Sequence, residues 1–194
     1  MNNKIQTLIE TENKKLFETL RAFDKKSSKN FLNLYKLSVE AIKNGKKIIF
    51  YGNGGSASDS QHLAAELVVR YKKNRRSISA IALTADNSVI TAISNDYDFK
   101  NVFSRQIESL GRKGDICIAL TTSGDSANLI EAAKLAKKKE IYTFCFSGNG
   151  GAKLKSFTKY PIIINSNEPS IIQVIELHLG QIYCGLLEEF IARK

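Results

Sequence analysis

The stretch FYGNGGSASDSQH (50–62) sets three glycines and three serines directly behind the apolar residues Ile48 and Ile49. Glycines let a backbone approach an anion closely. Hydroxyls and free N–H groups at a helix N-terminus supply donors there, and the helix dipole favours negative charge. A second stretch of the same kind follows ICIAL, where Thr121-Thr122-Ser123-Gly124-Asp125-Ser126 leads into the helical pattern ANLIEAAKLA. Either stretch alone also reads as an N-capped turn, a job that Ser and Asp do well. Two of them at strand ends of one sheet point to a phosphate group.

A dinucleotide site is the competing reading, because Gly52-x-Gly54-x-x-Ala57 fits the loose fingerprint. That fingerprint needs an acidic residue about 20 positions on to hold the ribose. The chain reads RYKKNRRS there, and Asp86 comes only after the next strand run. No nucleotide is expected. Behind the first stretch, His62 and Glu66 stand four apart and so share one helix face. Such a pair can ligate a divalent metal, share in proton transfer, or be a solvated polar pair, and spacing alone does not choose. Asn95, Asp96 and Arg105 lie between the two loops in sequence, and they read equally as site residues or as caps.

These residues need a frame. Short β-rich runs recur at 47–52, 77–83, 115–121, 141–147 and 160–165, with amphipathic segments between most of them. Continuous apolar strands alternating with helices predict a parallel sheet covered on both faces, a three-layer α/β fold. In such sheets ligands bind beyond the carboxyl ends of the strands, where both loops fall. Helical spacing over Asn3 to about Asn44 predicts two or three helices broken near DKKSSKN, and a last helix runs from about Ser170 to Ala192. The chain is expected to be a single domain, residues 1–45 forming the helical section and 46–194 the core.

Composition narrows the classes. With 43% apolar and 25% charged residues over 194 positions, the chain is ordinary for a globular protein. The first residues, MNNKIQTLIETENKK, have no apolar targeting core, and no long uncharged apolar window appears, so secretion and membrane spanning are not expected. Cys117, Cys145 and Cys184 are scattered in apolar runs and read as core residues of a cytoplasmic protein. The net charge of +10 gathers partly in YKKNRR (71–76) and KLAKKK (134–139). Neither cluster interleaves aromatics or forms a reading helix, so a solvated face is favoured over a nucleic-acid surface.

Taken together, GNGGSASDSQHLAAELVVRY, AIALTADNSVITAISNDYDF, VFSRQIESLGRKGDICIALTTSGDSANLI and the glutamine of SIIQVIELHLGQIYCGLLEEF resemble the sugar isomerase (SIS) domain family. Within it the chain looks most like the phosphoheptose isomerases, along nearly its whole length. The resemblance implies a flavodoxin-like αβα sandwich and a homotetramer with sites at subunit interfaces. It implies that Asn53, Gly54 and Gly55 meet the sugar of a phosphorylated substrate. Thr121, Thr122, Ser123 and Ser126 would hold the phosphate, Ser56 would be another donor, and Asn95 and Asp96 would complete the pocket.

Where relatives bind zinc, His62, Glu66 and Gln173 match three ligands, and Glu66 matches a catalytic acid/base. The chain departs from the pattern at the fourth ligand and second acid/base, a histidine eight residues after the glutamine, where it has Gln181. A further histidine, three after the glutamine, is Glu176 here. The remaining histidine, His178, lies about 140° around a helix from Gln173, against about 80° for Gln181, and should point elsewhere. The implied function is isomerisation of sedoheptulose 7-phosphate for bacterial surface polysaccharide. The alternatives are another phosphosugar, or a non-catalytic sensor or partner protein of the kind that binds the replication initiator DnaA.

Overall fold

The computed structural model describes residues 2–192; Met1, Arg193 and Lys194, included in the expected domain bounds, lie outside the described residues. Two helices open the chain, α1 (Asn2–Arg21) and α2 (Lys25–Lys43). The break falls at residues 22–24, just ahead of the expected place. Asp24 ends it by accepting the Ser27 N–H at 2.6 Å, so the residues after it form the first turns of α2.

Among the described residues five strands follow: β1 (Ile48–Gly52), β2 (Ala80–Ala82), β3 (Ile116–Thr121), β4 (Tyr142–Ser147) and β5 (Tyr160–Ile163). All pairings are parallel, in the order β2-β1-β3-β4-β5. The expected run at 77–83 shrinks to three residues, because the Ile78 N–H turns back to the Leu67 carbonyl at 3.0 Å. Strand residues alternate between two cores. Ile48, Phe50, Ile118 and Phe146 face one, and Ile49, Tyr51, Cys117 and Cys145 face the other.

Helices cover both faces. On the first lie α2, α3 (Gly55–Val68) and α7 (Pro169–Ala192), and on the second α5 (Val102–Leu110) and α6 (Ala127–Lys138). Helix α4 (Asn87–Asp96) joins β2 to α5 by a short 3₁₀ turn and sends the half-buried Ile90 to the second core. Strand order reverses between β1 and β3, since β2 lies to one side of β1 and β4 to the far side of β3. The crevice of a doubly wound sheet opens at that point. Both glycine-serine loops leave the sheet there.

Helix α7 runs parallel to α3. A Cβ on Gly55 would stand 2.7 Å from Gln173 Nε2, one on Gly180 would meet the Leu63 side chain, and Cys184 Sγ contacts the Leu63 carbonyl at 3.8 Å. Gln173 is therefore level with the first loop, and Gln181 is level with His62–Leu63. By length and composition α7 is apolar enough to cross a membrane, yet half of that window is buried against the core, and the buried face carries Glu176 and Glu188. It is the central core helix of one face. All three cysteines are free and buried, as expected.

The basic clusters have structural work. Lys139 Nζ bonds to the Ile107 and Glu108 carbonyls at the end of α5, at 3.2 and 2.5 Å, where a cation favours the helix dipole. In the 71–76 loop, Glu188 accepts the Tyr71, Lys72 and Lys73 N–H groups, each at 2.7 Å, and the buried Arg75 Nε lies 3.5 Å from it. Glu188→Ala would strand that guanidinium. It is expected to cost about 2–4 kcal/mol in urea unfolding, whereas a loss below about 0.5 kcal/mol would mean that water replaces the carboxylate.

Candidate functional site

The site grows from the ends of β1 and β3. After Gly52 the chain turns through Asn53 and Gly54 into α3. At Gly55 the Gln173 amide occupies the space a Cβ would take, its Nε2 2.7 Å from that position, so a side chain there would push the amide aside. The first loop and α7 thus meet directly. Asn53 reaches across to the second loop, where it and the buried Asn128 exchange amide hydrogen bonds of 3.0 and 2.9 Å. Asn128 is a site residue that the sequence reading does not include. Its position in the first turn of α6 is the one signal that points to it.

In the second loop Gly124 adopts φ +69°, and a Cβ there would fall 2.6 Å from the Gly151 carbonyl, so glycine is required twice over. The Gly124 N–H bonds to Thr121 Oγ1 at 3.2 Å and the Asp125 N–H to Ser123 Oγ at 3.3 Å. Thr122 is half-buried and Ser123 exposed. Ser126 takes the N-cap position of α6, yet its hydroxyl makes no capping bond. That hydroxyl and the first N–H groups of α6 remain for a ligand anion.

Ser56, expected as another donor, is buried instead, and its hydroxyl points inward to Glu176 Oε2 at 3.1 Å. The other Glu176 oxygen accepts the Thr121 N–H at 2.8 Å. A buried carboxylate therefore ties the two loops together from beneath. Burial pushes its pKa up to about 8, against the pull of the Thr121 and Ser56 donors and with a further push from Asp59. In the sequence, Glu176 shows only as an acid on the apolar stripe of α7.

On α3, His62 Nε2 and Glu66 Oε1 stand 3.0 Å apart. The histidine is 44% exposed and the glutamate 21%, so the pair is open to a ligand. Asp59, one turn earlier, is held above the usual carboxylate range by burial, which the His62 charge partly offsets. On α7, Gln173 and Gln181 are half-buried while His178 is exposed, the orientation that helical geometry predicts.

Asn95 and Asp96 end α4, exposed, and bond to each other at 2.8 Å. Among the described residues no hydrogen bond or ion pair links them to either loop. Asp96 lines a separate groove of about 510 Å³ between α4 and α5, with Tyr97 and Arg105, whose guanidinium lies 4.6 Å from the Tyr97 ring.

The zinc implied by the resemblance meets a thin donor set. His62 and Glu66 supply one imidazole and one carboxylate, and Gln173 adds only an amide. Among the described residues no group of three His, Cys, Asp or Glu side chains converges. A catalytic zinc site uses about three imidazole, thiolate or carboxylate ligands, so these residues of a single chain do not make up a firm one.

Comparison with known proteins shows the family. Residues 13–148 match the SIS domain family. The phosphoheptose isomerase of Nitratiruptor sp. is 43% identical over 185 residues, covering 94% of this chain and 99% of the relative. That of Aquifex aeolicus is 41% identical over 185 residues, covering 93% and 97%. Among solved structures, phosphoheptose isomerase GmhA from Neisseria gonorrhoeae superposes with a TM-score of 0.88 at 31% identity, covering 95% of this chain and 99% of the other. The chain belongs to the SIS-domain family and, within it, to the phosphoheptose isomerases.

Proposed function

We propose that this chain interconverts sedoheptulose 7-phosphate and D-glycero-D-manno-heptose 7-phosphate. The observation that carries the reading is the placement of the open His62–Glu66 pair on the helix that leaves the first loop, with the second loop crosslinked to that loop through Asn53–Asn128. The relatives' names supply the substrate class. In this reading the second loop and the α6 N-terminus hold the phosphate through Thr121, Thr122, Ser123 and Ser126. Asn53, Gly54, Gly55 and Gln173 line the sugar, and Asn95 and Asp96 complete the pocket from a neighbouring copy.

The chemistry moves one proton between C1 and C2 through an enediol, while the hydroxyl proton passes from one oxygen to the other through water. Glu66 takes the proton from one carbon and returns it to the other, so the carboxylate ends as it began. His62, hydrogen-bonded to it, orients the carboxylate and stabilises the charge that develops. Gln181, level with His62, cannot exchange protons near neutral pH, but its amide can bond to a substrate oxygen. No step needs zinc, which would bind weakly at His62, Glu66 and Gln173. Chelation by EDTA is expected to leave turnover unchanged, and a loss restored by zinc would overturn that expectation.

The same reading makes the protein a cytoplasmic homotetramer supplying heptose to a bacterial surface polysaccharide. Ile5, Leu8, Ile9 and Phe17 on α1 and Val174, Ile182 and Leu186 on α7 are exposed apolar residues that subunit contacts would cover.

The decisive experiment is deuterium exchange into sedoheptulose 7-phosphate in D₂O. Label entering C1 with the natural protein supports the isomerase. Label entering only with Gln181→His favours a second reading, a phosphosugar sensor or partner protein, to which the absent histidine points. The phosphate assignment has its own test. Ser123→Ala combined with Ser126→Ala is expected to abolish heat stabilisation by the phosphosugar, and stabilisation equal to that of the natural protein would remove those hydroxyls from the subsite.

A further inference from the structure

Glu176 is fully buried, and no cation pairs with it among the described residues. Everything facing it is neutral or acidic. From α3 come Ser56 and Asp59, and from β3 the Thr121 N–H. The carboxylate sits at the end of β3 on the Thr121 N–H, beneath the loop assigned to the phosphate and close to the positive potential of the α6 N-terminus. Two anions cannot share that potential without cost.

The protonation state also decides what Ser56 does. An ionised Glu176 can only accept, so the Ser56 hydrogen must point inward. A protonated Glu176 keeps the Thr121 N–H on its carbonyl oxygen and donates its own proton to Ser56. The serine hydrogen is then released, and the negative charge under the loops is gone.

We propose that Glu176 is a proton-gated positioning residue of the anion subsite: the subsite accepts a phosphate dianion while Glu176 is protonated and rejects it when Glu176 ionises. The inference rests on the phosphosugar reading above. Burial places the gate near pH 8, so the protein is open at neutral pH and closes in alkali. The phosphate stays a dianion over that range, its second ionisation lying near pH 6.

The test is isothermal titration of sedoheptulose 7-phosphate into the natural protein and Glu176→Gln from pH 7 to 9.5, in buffers of different ionisation heat. The glutamine is neutral and close in shape, and it mimics the protonated state. The natural protein is expected to bind about tenfold or more weakly at pH 9.5 than at pH 7.5 and to take up close to one proton on binding at pH 9. The variant is expected to bind with an affinity constant to within about twofold and to take up no proton. Equal pH slopes in the two proteins, or no proton uptake by the natural one, would overturn the gate while leaving the isomerase reading intact. If the variant does not fold, the proton count of the natural protein decides alone. Absence of binding at pH 7 in the natural protein would overturn the phosphosugar reading, and the gate with it.

Discussion

Glu66→Gln is expected to lower turnover by about 10²–10⁴-fold, the usual worth of a general acid/base, while KM changes little. The substitution keeps the size of the side chain and its reach to His62, 3.0 Å away, so the fold and the phosphate loops should not notice it. What it removes is the only feature the mechanism cannot replace, a carboxylate able to carry a proton from one carbon to its neighbour. Gln181 has no proton to offer in its place. Initial rates and calorimetric binding on the same preparation separate the two effects. Retained turnover would take the base role away from Glu66, whereas loss of both turnover and binding would mean that the residue shapes the pocket instead.

Much of this arrangement is legible in the amino-acid sequence. The five strand runs, the parallel sheet between helical layers and the two glycine-serine loops follow from period and punctuation, which are local properties. Strand β2 is shorter than its β-rich sequence suggests, because that sequence continues past the point where Ile78 returns to the end of α3, a tertiary contact that no local pattern encodes. The orientation of α7 is readable from helical geometry, which turns His178 away from the face that carries Gln173 and Gln181. The inner partners are not readable in this way. Ser56 resembles a ligand donor from its place at a helix start, but burial beneath the loop turns it to Glu176. Asn128 and Glu176 contribute through contacts 75 and 120 residues away in sequence, and only the closing of the sheet brings them to the loops.

That buried acid also dictates how the protein responds to pH. Glu176 titrates near 8 in the folded chain and near 4.5 when unfolded. Between those values the folded state holds a proton that the unfolded state has lost. Its contribution to stability is therefore complete below about pH 4.5 and is lost as the pH rises through about 8. The gap corresponds to a loss on the order of 3–5 kcal/mol, or roughly 10 °C in melting temperature for a chain of this size. Other groups titrate as well, so the informative quantity is the difference between the natural protein and Glu176→Gln. Relative to the variant, the natural protein is expected to be most stable near pH 5 and to fall behind steadily up to pH 9. Parallel melting curves across that range would mean that water reaches the carboxylate and keeps it ordinary. A widening gap would establish that an uncompensated acid lies under the loops, the same acid that the ligand must meet in its protonated form.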